Sequence, residues 1–175
     1  MLKTLFATAT LIALGTATAS AHATLEKSEA AVGSTYKAVF RVPHGCEGKP
    51  TNLVRVQIPE GFIAVKPMPK PGWTLEKVRG AYAKSYDYHG TPMAEGVKEI
   101  IWSGGSLPDD EYDEFILRGS FVGDLAVGTT VYFPIVQECG EAAERWIELP
   151  AAGQSSDDLE MPAPGVKLLE KTGGH

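Results

Sequence analysis

Alternation with a period of two constrains this chain more than any other feature. In YKAVFRVP, Tyr36, Ala38, Phe40 and Val42 fall on one face and Lys37 and Arg41 on the other. NLVRVQIP sets Val54, Val56 and Ile58 opposite Arg55 and Gln57, and EFILRGSF sets Phe115, Leu117 and Phe121 opposite Glu114 and Arg118. VYFPIVQE and RWIELP continue the pattern. Successive strand side chains point to opposite faces, so such runs are half-buried strands. Turn-rich connections separate them: VPHGCEGKP, KPMPKPGW, GGSLPDDEY and FVGDLAVGTT. No window holds a helical apolar stripe for three turns. Short alternating strands between Gly, Pro and Asp turns predict an all-β, antiparallel β-sandwich. Pro134 inside VYFPIV predicts an edge strand or a bulge, because proline cannot donate to a ladder.

The N-terminus obeys a different rule. Residues 1–21 carry one charge, Lys3, then an apolar run from Leu5 to about Ala13, and end in Ala19-Ser20-Ala21. This is the pattern of a secretory signal peptide with an A-x-A cleavage site, and its apolar run is too short to span a bilayer. The competing reading, a buried N-terminal helix, lacks an amphipathic polar face. Cleavage after Ala21 would leave a mature chain of 154 residues, enough for a single domain, and would make His22 its first residue. The domain is expected over 22–160, followed by a loosely packed, polar, Pro/Gly-rich tail over 161–175.

Charge and cysteine content narrow the class. The formal charge is −6, and −7 once Lys3 is removed. That balance offers no electrostatic footprint for nucleic acid or anionic lipid. No segment of the mature chain is apolar enough to span a membrane, so a soluble periplasmic or secreted protein is expected. The two cysteines, Cys46 and Cys139, would close a loop of about 93 residues if they pair, as cysteines outside the cytoplasm commonly do. The alternative is a copper or zinc thiolate pair, for which the usual C-x-x-C spacing is missing.

An N-terminal histidine offers chemistry that an internal one does not. Its α-amine and its imidazole Nδ1 can chelate one metal ion together. A nitrogen-rich site of this kind favours Cu(II), which tops the divalent affinity order. The amine exists only after cleavage, which ties metal binding to export. Taken alone, His22 is a weak signal.

Four segments carry a wider likeness: AHATLEKSEA, IPEGFIAVKPMPKPGWTLE, IIWSGGSLPDDEYDEFILRGSF and VYFPIVQECGEAAERWIELP. Through them the chain resembles the YcnI-like copper-binding domains, exported bacterial proteins with an immunoglobulin-like β-sandwich (cupredoxin-like in general architecture). The resemblance implies a single-histidine brace holding one Cu(II) per chain. His22 would be its first ligand, Glu114 its carboxylate and Trp146 its neighbouring aromatic. A register error of one residue would pass the carboxylate role to Asp113. Glu114 lies opposite Phe115, and Trp146 opposite Ile147 and Leu149, so both are expected to point away from the apolar faces of their strands.

The function that follows is a non-enzymatic copper protein acting in acquisition, storage or transfer. Its partners would be another periplasmic copper chaperone or a membrane copper transporter. A metal-independent interaction module is the alternative. A copper-dependent redox enzyme is a more distant one, since no internal histidine matches a second brace ligand and there is no G-x-S-x-G. The other candidate ligands have bland readings. His44 reads as a turn residue, His89 as a surface residue after SYDYHG and His175 as the end of the tail. Met68, Met93 and Met161 lie near prolines rather than in M-x-x-M spacing. Trp73 and Trp102 read as core or sandwich-edge aromatics, with Trp102 beside a Gly-Gly turn as the second choice for the site tryptophan.

Overall fold

A computed structural model describes residues 22–171, so residues 1–21, read above as a signal peptide, and His175 lie outside the described residues. The alternating runs become strands with the expected faces. β3 (Thr35–Val42), β4 (Thr51–Gln57) and β8 (Asp113–Phe121) bury the apolar sets named above and turn Lys37, Arg41 and Arg118 to solvent.

β3 and β8 pair antiparallel in the middle of a four-stranded sheet, flanked by β1 (Thr24–Leu25) and β5 (Phe62–Pro67) in the order β1-β3-β8-β5. The facing sheet has the order β11-β10-β4-β7-β6, with β6 Thr74–Tyr88, β7 Thr91–Leu107, β10 Ile135–Cys139 and β11 Ala142–Trp146. A third sheet joins β2 (Glu29–Ala31), β12 (Gly165–Leu169) and β9 (Thr130–Tyr132). The only helix among the described residues is one 3-10 turn, Ser156–Asp158, closed by a capping box on Ser155.

The core fills the space between the two large sheets. Phe62 lies between Phe121 (centroids 4.8 Å apart) and Phe133 (5.3 Å), and Phe133 meets Phe40 at 5.6 Å. These offset and edge-on contacts are the arrangements that aromatic quadrupoles favour. Trp102 is fully buried and its indole N–H donates to the Met68 carbonyl at 3.2 Å, which satisfies its single donor.

Three expectations need correction. Residues 161–169 are not a loose tail: β12 pairs parallel with β2 and antiparallel with β9, and Val166 and Leu168 are fully buried. Two inward residues in a five-residue strand are too short a pattern to stand out, and the partners that bury them lie far away in sequence. The Gly-Gly beside Trp102 is not a turn but part of β7, where the β4–β7 register shifts between Thr51 and Leu53. Glycine is required there, because a Cβ on Gly105 would sit 2.0 Å from the Trp73 ring. Pro134 makes neither an edge strand nor a bulge. It separates β9 from β10 where the chain leaves the three-stranded sheet, and its carbonyl accepts from the Gln57 amide at 2.9 Å.

Tyr36 supplies a titratable probe of this packing. Its hydroxyl donates to the Lys27 carbonyl, and burial, followed by the nearby Glu26 carboxylate, pushes its pKa up to about 12. An unfolded tyrosine titrates near ~10, so the unfolded state loses this proton first as pH rises. The stability due to neutral Tyr36 is therefore fully present below about pH 10 and lost as pH approaches about 12. Urea midpoints should fall across that interval and fall less steeply in Tyr36→Phe. Equal slopes in the two proteins would contradict the assignment.

Candidate metal site at the sandwich edge

β1 and β11 are the edge strands of the two facing sheets. His22 lies just before β1 and Trp146 ends β11. Their rings meet edge-on across this border, with centroids 5.7 Å apart and planes inclined by 64°. Ala23, the next residue, is buried in the core and anchors the segment.

Trp146 faces the opposite way from the expectation. It is 2% exposed and belongs to the core, while Ile147 and Leu149 are 45% and 57% exposed. Alternation separates two faces without saying which is inside. Here Trp146 is paired with Ile135 in the sheet, whereas β11 ends before Ile147. The tryptophan is thus both a core residue and the neighbour of His22.

A buried polar chain holds the indole. Its N–H donates to Gln137 Oε1 at 3.3 Å. Gln137 Nε2 donates to the His44 carbonyl at 2.6 Å and to Thr51 Oγ1 at 2.7 Å. Gln137 and Thr51 are fully buried, and Thr51 Oγ1 lies 3.6 Å from Cys139 Sγ. With both amide protons engaged, the carbonyl end of Gln137 has to face the indole. Sequence reading missed Gln137. Its only signal there is a polar residue at an inward position of an alternating strand.

The Cys46–Cys139 disulfide closes this region, with the two Cα atoms 5.8 Å apart. No free cysteine remains among the described residues, so the thiolate-pair reading falls away.

Glu114 points outward, as expected, but its recorded partner is Arg41 rather than His22. Thr24, Arg41 and Glu114 form one cross-strand row over β1, β3 and β8. Arg41 Nε lies 3.5 Å from Glu114 Oε1, and its terminal nitrogen lies 3.9 Å from Glu26 Oε2. Asp113 is engaged by Lys70 Nζ at 2.6 Å and by the Glu114 amide at 2.7 Å. The fold therefore brings His22 and Trp146 together and leaves Glu114 two strands away from β1.

Among the described residues no three His, Cys, Asp or Glu side chains are grouped as a metal cluster. A brace of one imidazole, its own amine and one carboxylate needs only two such side chains. The Arg41–Glu114 pair is part-exposed, so separating it costs under about 1 kcal/mol.

The remaining candidates lie elsewhere. His44 is half-buried between β3 and β4. His89 has a positive φ of 53° in the β6–β7 turn and stacks edge-on against Tyr88 at 4.5 Å. Met161 packs on the main core, Met93 on a second cluster with Tyr82 and Tyr86, and Met68 is half-exposed. No helix among the described residues is long and apolar enough to cross a membrane.

These features define a disulfide-closed, immunoglobulin-like β-sandwich domain with a histidine–tryptophan contact at one edge. The chain belongs to the DUF1775 family, described as a domain of unknown function, whose model matches residues 22–168. Among solved structures, an uncharacterized protein from Nocardia farcinica with an immunoglobulin-like fold is 24% identical, with a TM-score of 0.62, covering 85% of this chain and 98% of that one. A cohesin of scaffoldin B from Acetivibrio cellulolyticus, solved with a dockerin, is 9% identical with a TM-score of 0.41, covering 84% and 97%. No curated protein matches.

Proposed function

We propose that this domain is an exported, non-enzymatic copper carrier that holds one Cu(II) at His22 once cleavage after Ala21 has freed its amine. The observation that carries the reading is the edge-on contact between His22 and Trp146. It places the imidazole at the rim of the core, against an indole that is itself held by Gln137. The family match beginning at residue 22 and the likeness to YcnI-like copper-binding domains support it further. When bound, copper would be held by the His22 imidazole and amine, with Glu114 as the carboxylate released from Arg41. These are nitrogen and oxygen donors, harder than thiolate, and they suit Cu(II) better than Cu(I). One-electron reduction to Cu(I) by an external reductant would then loosen the ion for transfer to a second copper protein or a transporter.

The amine is the discriminating group. Retaining Ala21 locks it in a peptide bond, so Cu(II) affinity should fall by about a hundredfold or more relative to the chain beginning at His22. Calorimetric titration of the two forms, with mass spectrometry to verify each N-terminus, measures the difference. Equal affinities would sink the brace. Glu114→Gln should weaken binding more than Trp146→Phe, because one removes a ligand and the other a neighbour. Ascorbate-driven peroxide turnover no faster than that of free copper is expected of a carrier.

A different observation favours a second reading, an interaction module that works without metal. The outer face of the four-stranded sheet carries cations that no carboxylate among the described residues engages.

A further inference from the structure

Lys37, Arg118 and Lys66 stand side by side across β3, β8 and β5. Lys37 is in register with Arg118, and Arg118 with Lys66, so all three project from the same outer face, and all are exposed. Like charges directly opposite each other on a sheet are destabilising. The chain carries 22 acidic residues against 16 basic ones, so carboxylates are plentiful. Ion pairs engage Arg41, Arg55, Lys70, Arg79, Lys84 and Lys98. Among the described residues none engages these three.

Beside the row lies a groove of about 340 Å³ whose floor is apolar, formed by Ile116, Pro67 and Met68. Met68 is 50% exposed and its amide is bonded to the Ile116 carbonyl at 2.8 Å, which holds it against the sheet.

We infer that this face docks an acidic, extended polypeptide segment of a partner protein. Adjacent strands are about 4.8 Å apart, so the three cations span roughly 10 Å in a line. A line suits carboxylates on alternate residues of an extended chain, which recur about every 6.8 Å. It does not suit one small anion, which needs donors converging on a point. The apolar floor selects for a neighbouring hydrophobic side chain on the same face of the segment. The chain's negative balance opposes an anionic bilayer and nucleic acid alike. Neither His22 nor the copper reading enters the inference, so the two stand or fall separately.

The test uses the folded chain and the peptide acetyl-Glu-Ala-Glu-Ala-Leu amide, followed by NMR shift mapping at low salt. Saturable shifts centred on Lys37, Lys66, Ile116 and Arg118 are expected, with a Kd of about 0.1–1 mM for so small a footprint. Added salt should weaken binding, because the contacts are exposed. Arg118→Glu should weaken it by about tenfold, and Lys66→Gln, a milder change, should do so by a smaller factor if Arg118→Glu fails to fold. Lys77→Glu, an exposed unpaired cation on the other sheet, should change it less than twofold.

No saturable shift, equal binding of the peptide with glutamine in place of glutamate, or an equal effect of Lys77→Glu would each overturn the proposal. Arg118-dependent binding to vesicles of phosphatidylglycerol and phosphatidylcholine in equal parts, without peptide binding, would reassign the face to lipid. A dimer in sedimentation that Arg118→Glu dissolves would reassign it to a second copy.

Discussion

Replacing Cys46 and Cys139 together with alanine is expected to lower the unfolding free energy by about 4–5 kcal/mol. The bridge joins positions 93 residues apart, so it removes a long loop's worth of freedom from the unfolded chain. It ties the β3–β4 connection, where Cys46 bridges to Lys49, to the end of β10. Both cysteines are almost completely buried, so the double substitution also leaves small voids beside Thr51. Domains of this size are stable by about 5–15 kcal/mol, so the variant should be marginal at physiological temperature. Urea unfolding of the two proteins measures the loss. A difference below about 1 kcal/mol would mean that the unfolded chain is already constrained across this loop.

Gln137→Leu should cost about 2–4 kcal/mol. Leucine keeps much of the volume but supplies none of the three hydrogen bonds. The indole N–H of Trp146 then has no acceptor. The His44 carbonyl loses its 2.6 Å donor, while the longer contact from Thr51 Oγ1, at 3.4 Å, stays. Each buried group left unsatisfied costs about 1–3 kcal/mol. The effect should extend to the sandwich edge, because Gln137 fixes the orientation of the ring that His22 touches. A change in tryptophan emission alongside the lost stability is the expected signature, since Trp146 would reorient while Trp102 stays bonded to Met68. If the copper proposal holds, Cu(II) affinity should fall as well. A Leu variant as stable as the parent, with unchanged emission, would show that the network holds neither the core nor the indole.

Much of the sandwich was legible beforehand. Over 36–42, 54–58 and 115–121 the alternation named the buried face correctly, because a half-buried strand has to alternate whatever its partner. The cysteine pairing followed from their number and the expected compartment. Trp146 was misread because RWIELP is apolar on both sides, and only the pairing of β11 with β10 and the end of the strand before Ile147 decide which side is inside. Residues 161–169 were read as tail because their burial depends on β2 and β9, whose pairing GVKLL does not announce.

The candidate site divides along the same line. His22 stood out from its place after an A-x-A pattern, and the roles of Glu114 and Trp146 came from likeness to a family. Only the tertiary structure puts His22 against Trp146, engages Glu114 with Arg41, sets Gln137 behind the indole and aligns Lys37, Arg118 and Lys66. By itself the sequence determined which residues alternate and which two cysteines were there to pair. These are local properties of the chain, set by backbone geometry and side-chain type. Which residues meet is set by register between strands up to a hundred residues and more apart, so it exists only once the sheets have formed.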